Sequence, residues 1–279
     1  MLVGRETEKQ LVEGLIGDAR VGRSASIALV GEVGIGKSAL LDHAAAAADG
    51  MTVLRARGIQ SEAHIPFAGL LELLRPVLGH LAQLADPQRD ALEAALALRP
   101  SGGYDRFAIG AATLSLLAAS ADACPVLVLV DDAQWIDGSS ADALLFAVRR
   151  LLADPIGVVI CVRDGSPSLV DGTDLRVHRL GGLDRAASAE LVSWRVGADV
   201  LVPDEVIDRL HAGTGGNPLA LLELAADPGV VAPGSRPPLG SPLPVATRIA
   251  NVYLERCAQM TGRQQDVLLL AAASDTTAM

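Results

Sequence analysis

Aromatic residues are scarce in this chain of 279: three Phe, two Tyr and two Trp make up 3% of it. A sizeable core must therefore be built from Ala, Leu and Val, and a chain that is 50% hydrophobic has enough of them. Cysteine is also sparse. Cys124, Cys161 and Cys257 are odd in number, widely spaced and free of any C-x-x-C pairing, which argues against a disulfide framework and a zinc site and for a reducing compartment. Cys161 lies inside an apolar run and Cys124 just before one, so both read as small buried hydrophobes. Positive charge is in deficit: 23 Lys and Arg stand against 33 Asp and Glu, a formal net charge of −10. Such a surface repels nucleic-acid phosphates, and no direct nucleic-acid contact is expected of this chain. The small basic spot Arg149-Arg150 reads as a solvated helix face. No apolar stretch approaches the ~20 residues of a membrane span. The opening, Met1 to Lys9, is too polar for a secretion signal. The expectation is a cytoplasmic protein without membrane contact.

What the chain does contain is a phosphate-binding pattern. Gly31-Glu32-Val33-Gly34-Ile35-Gly36-Lys37-Ser38 fits G-x-x-x-x-G-K-[ST], between the apolar run Ser26–Val30 and the helix-prone Ala39–Ala44. Strand, loop and helix in that order let backbone N–H groups turn around a polyphosphate, with glycines where a Cβ would block the approach. The expected nucleotide contacts are Gly31, Val33, Gly34, Ile35, Gly36, Lys37, Ser38 and Ala39. Lys37 is placed for the β and γ phosphates and Ser38 for Mg²⁺, with the helix N-terminus aimed at the anion. A second pattern supports the first. Val126 to Val130 is five β-favouring apolar residues, a strand buried on both faces, and it ends in Asp131-Asp132, a Walker B pattern. Asp131 is the expected Mg²⁺ ligand beside Ser38, and Asp132 the base that polarises an attacking water.

The remaining pattern alternates strands and helices. Strands are expected at Thr52–Ala56, Gly157–Val162 and near Arg176–Leu180, with helices between 67 and 121 and at about 140–152. Asp86-Pro87 and Arg99 to Gly103 interrupt the helical stretch. Strands cease near Gly181-Gly182, and helices at about 184–195, 203–212 and 218–226 follow. This predicts a parallel sheet flanked by helices at 1–182 and a small helical lid at 183–227. A Pro/Gly-rich linker spans 228–244. Two helices begin in 245–279, and the last, around 266–273, is so apolar that it needs a partner. The chain is therefore expected to be the front part of a longer architecture. His178 and His211 are lone histidines without an assigned role.

Four features together resemble a known family: Leu2-Val3-Gly4-Arg5-Glu6, the phosphate loop, Asp131-Asp132-Ala133-Gln134-Trp135-Ile136-Asp137, and Gly215-Gly216-Asn217-Pro218-Leu219. They resemble the AAA-like signal-transduction ATPases called STAND proteins, and more narrowly the large ATP-binding LuxR-type regulators of actinobacteria. That resemblance implies an α/β P-loop NTPase followed by a helical lid and the start of a winged-helix-like segment. It places Gly4 and Arg5 against the nucleotide base, Arg163 as a sensor of the γ phosphate, and Pro218 at a helix start against the nucleotide. Trp135 reads as packing support. The family's sensor region and DNA-binding domain lie beyond these residues.

The leading expectation is an ATP- and Mg²⁺-binding switch that hydrolyses slowly. It would act on downstream regulatory domains or partner proteins, with nucleotide-dependent self-association open. A free-standing phosphotransferase and a nucleotide-holding scaffold without hydrolysis are the alternatives. No Asn-Lys-x-Asp guanine-reading run occurs, and the resemblance points to ATP over GTP.

Overall fold

The computed structural model describes residues 2–99, 105–165, 170, 173, 175–197, 200–231, 257 and 260–275. The chain divides into two compact units, Met1–Gly181 and Gly182–Met279.

The first unit opens with a helix that the sequence reading does not assign, α1 (Glu6–Arg20). Its signal is present: Val12, Leu15, Ile16 and Ala19 recur at helical spacing and are buried, Glu6 and Glu8 occupy the first turn, and Arg20 occupies the last. There follow β1 (Ala25–Gly31), α2 (Lys37–Ala47), β2 (Thr52–Arg57) and α3 (Ala68–Leu74). A 3-10 stretch (Arg75–Gln83) leads to α4 (Asp86–Ala95), where Pro87 sits in the first turn and restarts the helix. Next come α5 (Arg106–Ala123), β3 (Val126–Asp131), α6 (Gly138–Val148), β4 (Ile156–Arg163) and β5 (Arg176–Arg179).

All strand pairings are parallel, in the order β2-β3-β4-β1-β5. Alternate residues of β1 to β4 feed two cores. Val126, Val128, Val130, Val158 and Ile160 face α3 to α6, while Leu127, Leu129, Val159 and Cys161 face α1 and α2. Covering both faces is what a parallel sheet requires, and it explains the unbroken apolar runs of β3 and β4. Each such buried aliphatic side chain contributes roughly 1.5–3 kcal/mol. Phe67 is the single aromatic residue in these cores among the described residues.

In the second unit lie α7 (Arg185–Val196), α8 (Asp204–Thr214) and α9 (Pro218–Leu224). The linker expected at 228–244 differs at its start: Pro228–Val231 forms a short helix, α10, opened by Asp227 Oδ1 accepting from Gly229 N at 2.8 Å. The rest of that linker lies outside the described residues. So does the winged-helix-like expectation, apart from Cys257 and the helix α11 (Gly262–Asp275). Val267, Leu269 and Leu270 of α11 are exposed. Among the described residues no helix is long and apolar enough to cross a membrane.

Candidate functional site

The carboxyl edge of the sheet gathers the residues that the sequence separates. β1 ends at Gly31, and the loop to α2 turns through left-handed backbone at Gly34 (φ 77°) and Gly36 (φ 105°), where side chains are strained. At Gly31 the constraint is space, because a Cβ would stand 2.8 Å from Ile35 Cγ2. Ile35 is buried in the core, so its side chain anchors the loop, while Val33 and Ala39 are half-buried. Lys37 folds back across the loop, donating from Nζ to the carbonyls of Gly31 and Glu32, both at 2.8 Å. Burial lowers its pKa from the ordinary lysine value, opposed by Cys161, Asp132 and Asp131. Cys161 lies directly below on β4, and burial raises its thiol pKa well above the usual range.

Ser38 donates from Oγ to Asp131 Oδ2 at 2.6 Å. β1 and β3 are not neighbours, so this contact passes over β4. The pair offers two hard oxygen donors, the chemistry that Mg²⁺ takes. Among the described residues no group of three His, Cys, Asp or Glu could hold a metal alone.

Asp132 follows in left-handed backbone (φ 46°, ψ 43°), which costs a non-glycine residue roughly 1–2 kcal/mol. Its N–H donates to Asp131 Oδ1 at 2.9 Å. Asp132 Oδ2 receives Arg57 Nε and Nη2 at 3.2 and 3.1 Å, and Oδ1 receives Gln134 Nε2 at 3.2 Å. Arg163 ends β4 beside Gly31 in register, and its N–H donates to Gln134 Oε1 at 3.1 Å. The structure thus brings Lys37, Ser38, Asp131, Asp132 and Arg163 to one edge.

Arg5 is 4% exposed. Its Nη2 donates to Ile35 O at 3.0 Å and to Gly181 O at 2.6 Å, and Nη1 pairs with Glu8 at 3.2 Å. The guanidinium therefore ties the chain start to the back of the phosphate loop. Gly4 precedes it, exposed, at φ 62°. Pro218 belongs to the second unit. There Asn217 Oδ1 accepts from Leu219 N and Ala220 N, and Pro218 sets the first turn of α9. Gly216 (φ 73°) accepts from Leu183 N at 2.8 Å, and a Cβ on it would reach Leu183 O at 2.1 Å.

Four residues with roles here were given none by sequence reasoning, although Gln134 and Asp137 lie in the 131–137 run. Arg57 and Gln134 hold the Asp132 carboxylate. Gly58 donates to Asp131 O at 2.9 Å and lets β2 exit against the 132–136 backbone; its signal was a glycine directly after a strand. Asp137, 3% exposed, accepts from Phe67 N, Gly69 N, Ser140 N and Ser140 Oγ, capping α6 and pinning the start of α3. An Asp before Gly-Ser-Ser was its signal. Trp135 is half-buried, its backbone against Gly58.

A five-stranded parallel sheet of this order, with a glycine loop after β1 and paired aspartates closing β3, defines a P-loop NTPase. The AAA ATPase domain family matches residues 1–160, more than half of the chain, and the chain belongs to it. It is an AAA-type nucleotide-binding module. Solved structures share the fold at low identity. A STAND protein with a tetratricopeptide repeat sensor from Pyrococcus horikoshii is 18% identical, over 96% of this chain and 34% of that one, at TM-score 0.53. A chain from an Escherichia coli HORMA:CdnC:Trip13 complex is 13% identical, over 93% and 89%, at 0.52. A Walker-type ATPase of Pyrococcus abyssi is 16% identical, over 80% and 67%, at 0.50. The chain spans about a third of the length of that STAND protein. No curated protein matches the sequence.

Proposed function

We propose that this chain is an ATP-binding, slowly hydrolysing nucleotide switch in a signal-responsive transcription regulator of the large LuxR type. The observation that carries it is the 2.6 Å bond between Ser38 and Asp131 across β4, with Lys37 and Asp132 on either side. In this reading the loop from Gly31 to Ala39 cradles the phosphates, and Lys37 exchanges the carbonyls of Gly31 and Glu32 for phosphate oxygens. Gly4 and Arg5 border the base, and Pro218 orders a helix start toward the nucleotide. Ser38 and Asp131 would hold Mg²⁺, which when bound would supply charge neutralisation for the phosphates. Asp132 takes a proton from the attacking water, and Arg163 reads the γ phosphate. Burial of the Lys37 ammonium, 8% exposed, supports its role as a phosphate-binding cation.

Turnover without an arginine finger is slow in P-loop proteins, on the order of 10⁻⁴ to 10⁻³ per second, which suits a persistent ATP state. ATP and ADP would favour different lid positions and pass that difference to downstream domains or partners. DNA contact belongs to other parts of such a regulator, since this chain carries a net charge of −10. The likeness in fold to a STAND protein supports the switch over a free-standing phosphotransferase. The test is single-turnover hydrolysis of γ-labelled ATP with protein in excess, beside Lys37→Ala. Slow release that depends on Lys37 is expected. Label transferred to an acceptor other than water, or turnover well above one per minute, would overturn the switch.

A further inference from the structure

The carboxylate of Asp132 is held from two sides by unequal means. On Oδ2 is Arg57, whose side chain is 69% exposed. Exposed ion pairs are worth about 0–1 kcal/mol and are screened by salt, so Arg57 alone does not fix a carboxylate. On Oδ1 is Gln134, whose amide is committed at its other end. Oε1 accepts from Arg163 N at 3.1 Å, which leaves Nε2 to donate to Asp132 at 3.2 Å. One amide orientation satisfies both partners, and the flipped one satisfies neither, since an N–H needs an acceptor and a carboxylate needs a donor.

The anchor is rigid. Arg163 N closes β4, a strand paired on both sides and buried from Ile156 to Val162. Gln134 therefore carries the fixed position of a central strand to a carboxylate that sits on strained backbone (φ 46°) and is otherwise restrained by a solvent-facing arginine.

We propose that Gln134 is the positioning residue for Asp132, setting where its carboxylate lies relative to the attacking water. This rests on the reading of Asp132 as the base. Small displacements of a catalytic group cost up to about 10²-fold in rate, so loss of Gln134 should reduce hydrolysis and spare binding.

Two variants separate positioning from packing and from strand anchoring. Gln134→Met keeps the side-chain length and loses both hydrogen bonds. Gln134→Glu keeps the acceptor for Arg163 N, loses the donor and sets two carboxylates face to face. Each should lower single-turnover hydrolysis by about tenfold or more while the ATP Kd stays within about threefold. In an Asp132→Asn background, Gln134→Met should change the residual rate by no more than about twofold, because both substitutions remove one function. A wild-type rate in Gln134→Met means that the side chain only fills space, and a wild-type rate in Gln134→Glu means that it only anchors β4. Either overturns the proposal, as does a loss of ATP binding equal to the loss of rate. If Asp132→Asn itself hydrolyses normally, the base assignment fails and this inference with it. If Asp132→Asn is inactive and the Gln134 variants are not, only this inference fails.

Discussion

Replacing Gly58 with Ala should damage the site from a residue that bears no functional group. The methyl group would be built 2.2 Å from Asp132 O, 2.8 Å from the Trp135 carbonyl carbon and 2.9 Å from Ile136 N. All three atoms are backbone, so no rotamer change relieves the clash, and the shortest gap falls more than an ångström short of ordinary contact. Gly58 has no positive φ, so the cost is steric and not conformational. Overpacking of this kind costs about 1–3 kcal/mol, and the upper end is expected because the loop is already strained at Asp132 and tied by the Gly58 N to Asp131 O bond. A loss of about 2–3 kcal/mol lowers Tm by roughly 5–10 °C in a unit of this size. The loop must shift by about an ångström, and Asp132 with it, so hydrolysis should fall by about 10²-fold. ATP affinity should change little, because Gly58 does not touch the phosphate loop. Gly79→Ala is the control: Gly79 has nothing within 4 Å of its Cβ position and should be neutral. Differential scanning calorimetry, single-turnover hydrolysis and ATP titration measure the three effects. A Gly58→Ala protein with wild-type Tm and rate would refute the claim that β2 sets the position of the aspartate loop.

Ser38→Ala removes the hydroxyl that donates to Asp131 at 2.6 Å. Calorimetric titration should show the ratio of ATP affinities with and without Mg²⁺ falling at least tenfold toward unity; an unchanged ratio would sink the metal assignment. Asp137→Ala removes the buried carboxylate that accepts from Phe67 N, Gly69 N, Ser140 N and Ser140 Oγ and should cost about 2–4 kcal/mol in urea unfolding. A cost below about 1 kcal/mol would mean that these donors find other partners. The Cys161 thiol holds its proton more tightly when folded than unfolded, so its contribution to stability is complete below the unfolded value of 9.0 and declines as pH rises above it. At pH 8 a thiol reagent should label Cys161 only on unfolding, and rapid labelling of Cys161 in the folded protein would contradict its placement under Lys37.

Much of the architecture follows from local patterns. The short β-favouring apolar runs at 126–130 and 157–162 read as strands covered on both faces, and G-x-x-x-x-G-K-S between a strand and a helix has one well-known geometry. These elements were legible because their physics is local, set by side-chain period, glycine freedom and helix ends. α1 was legible in principle through Val12, Leu15, Ile16 and Ala19, although its polar opening conceals it. What the chain order could not disclose is which distant residues meet. Insertion of β4 between β1 and β3 means that Ser38 reaches Asp131 across a strand that comes later in the sequence. Arg57 and Gly58 carry no motif of their own, and the run that contains Gln134 does not say what its amide holds. Their roles arise because β2 and β4 flank β3, so that strand exits far apart in the chain converge on one carboxylate. Arg5 shows the same limit, since only chain packing brings the carbonyls of Ile35 and Gly181 within reach of one guanidinium. Local sequence determined the strands, the loop and the paired aspartates; strand order, a long-range property of how the sheet assembles, decided what surrounds them.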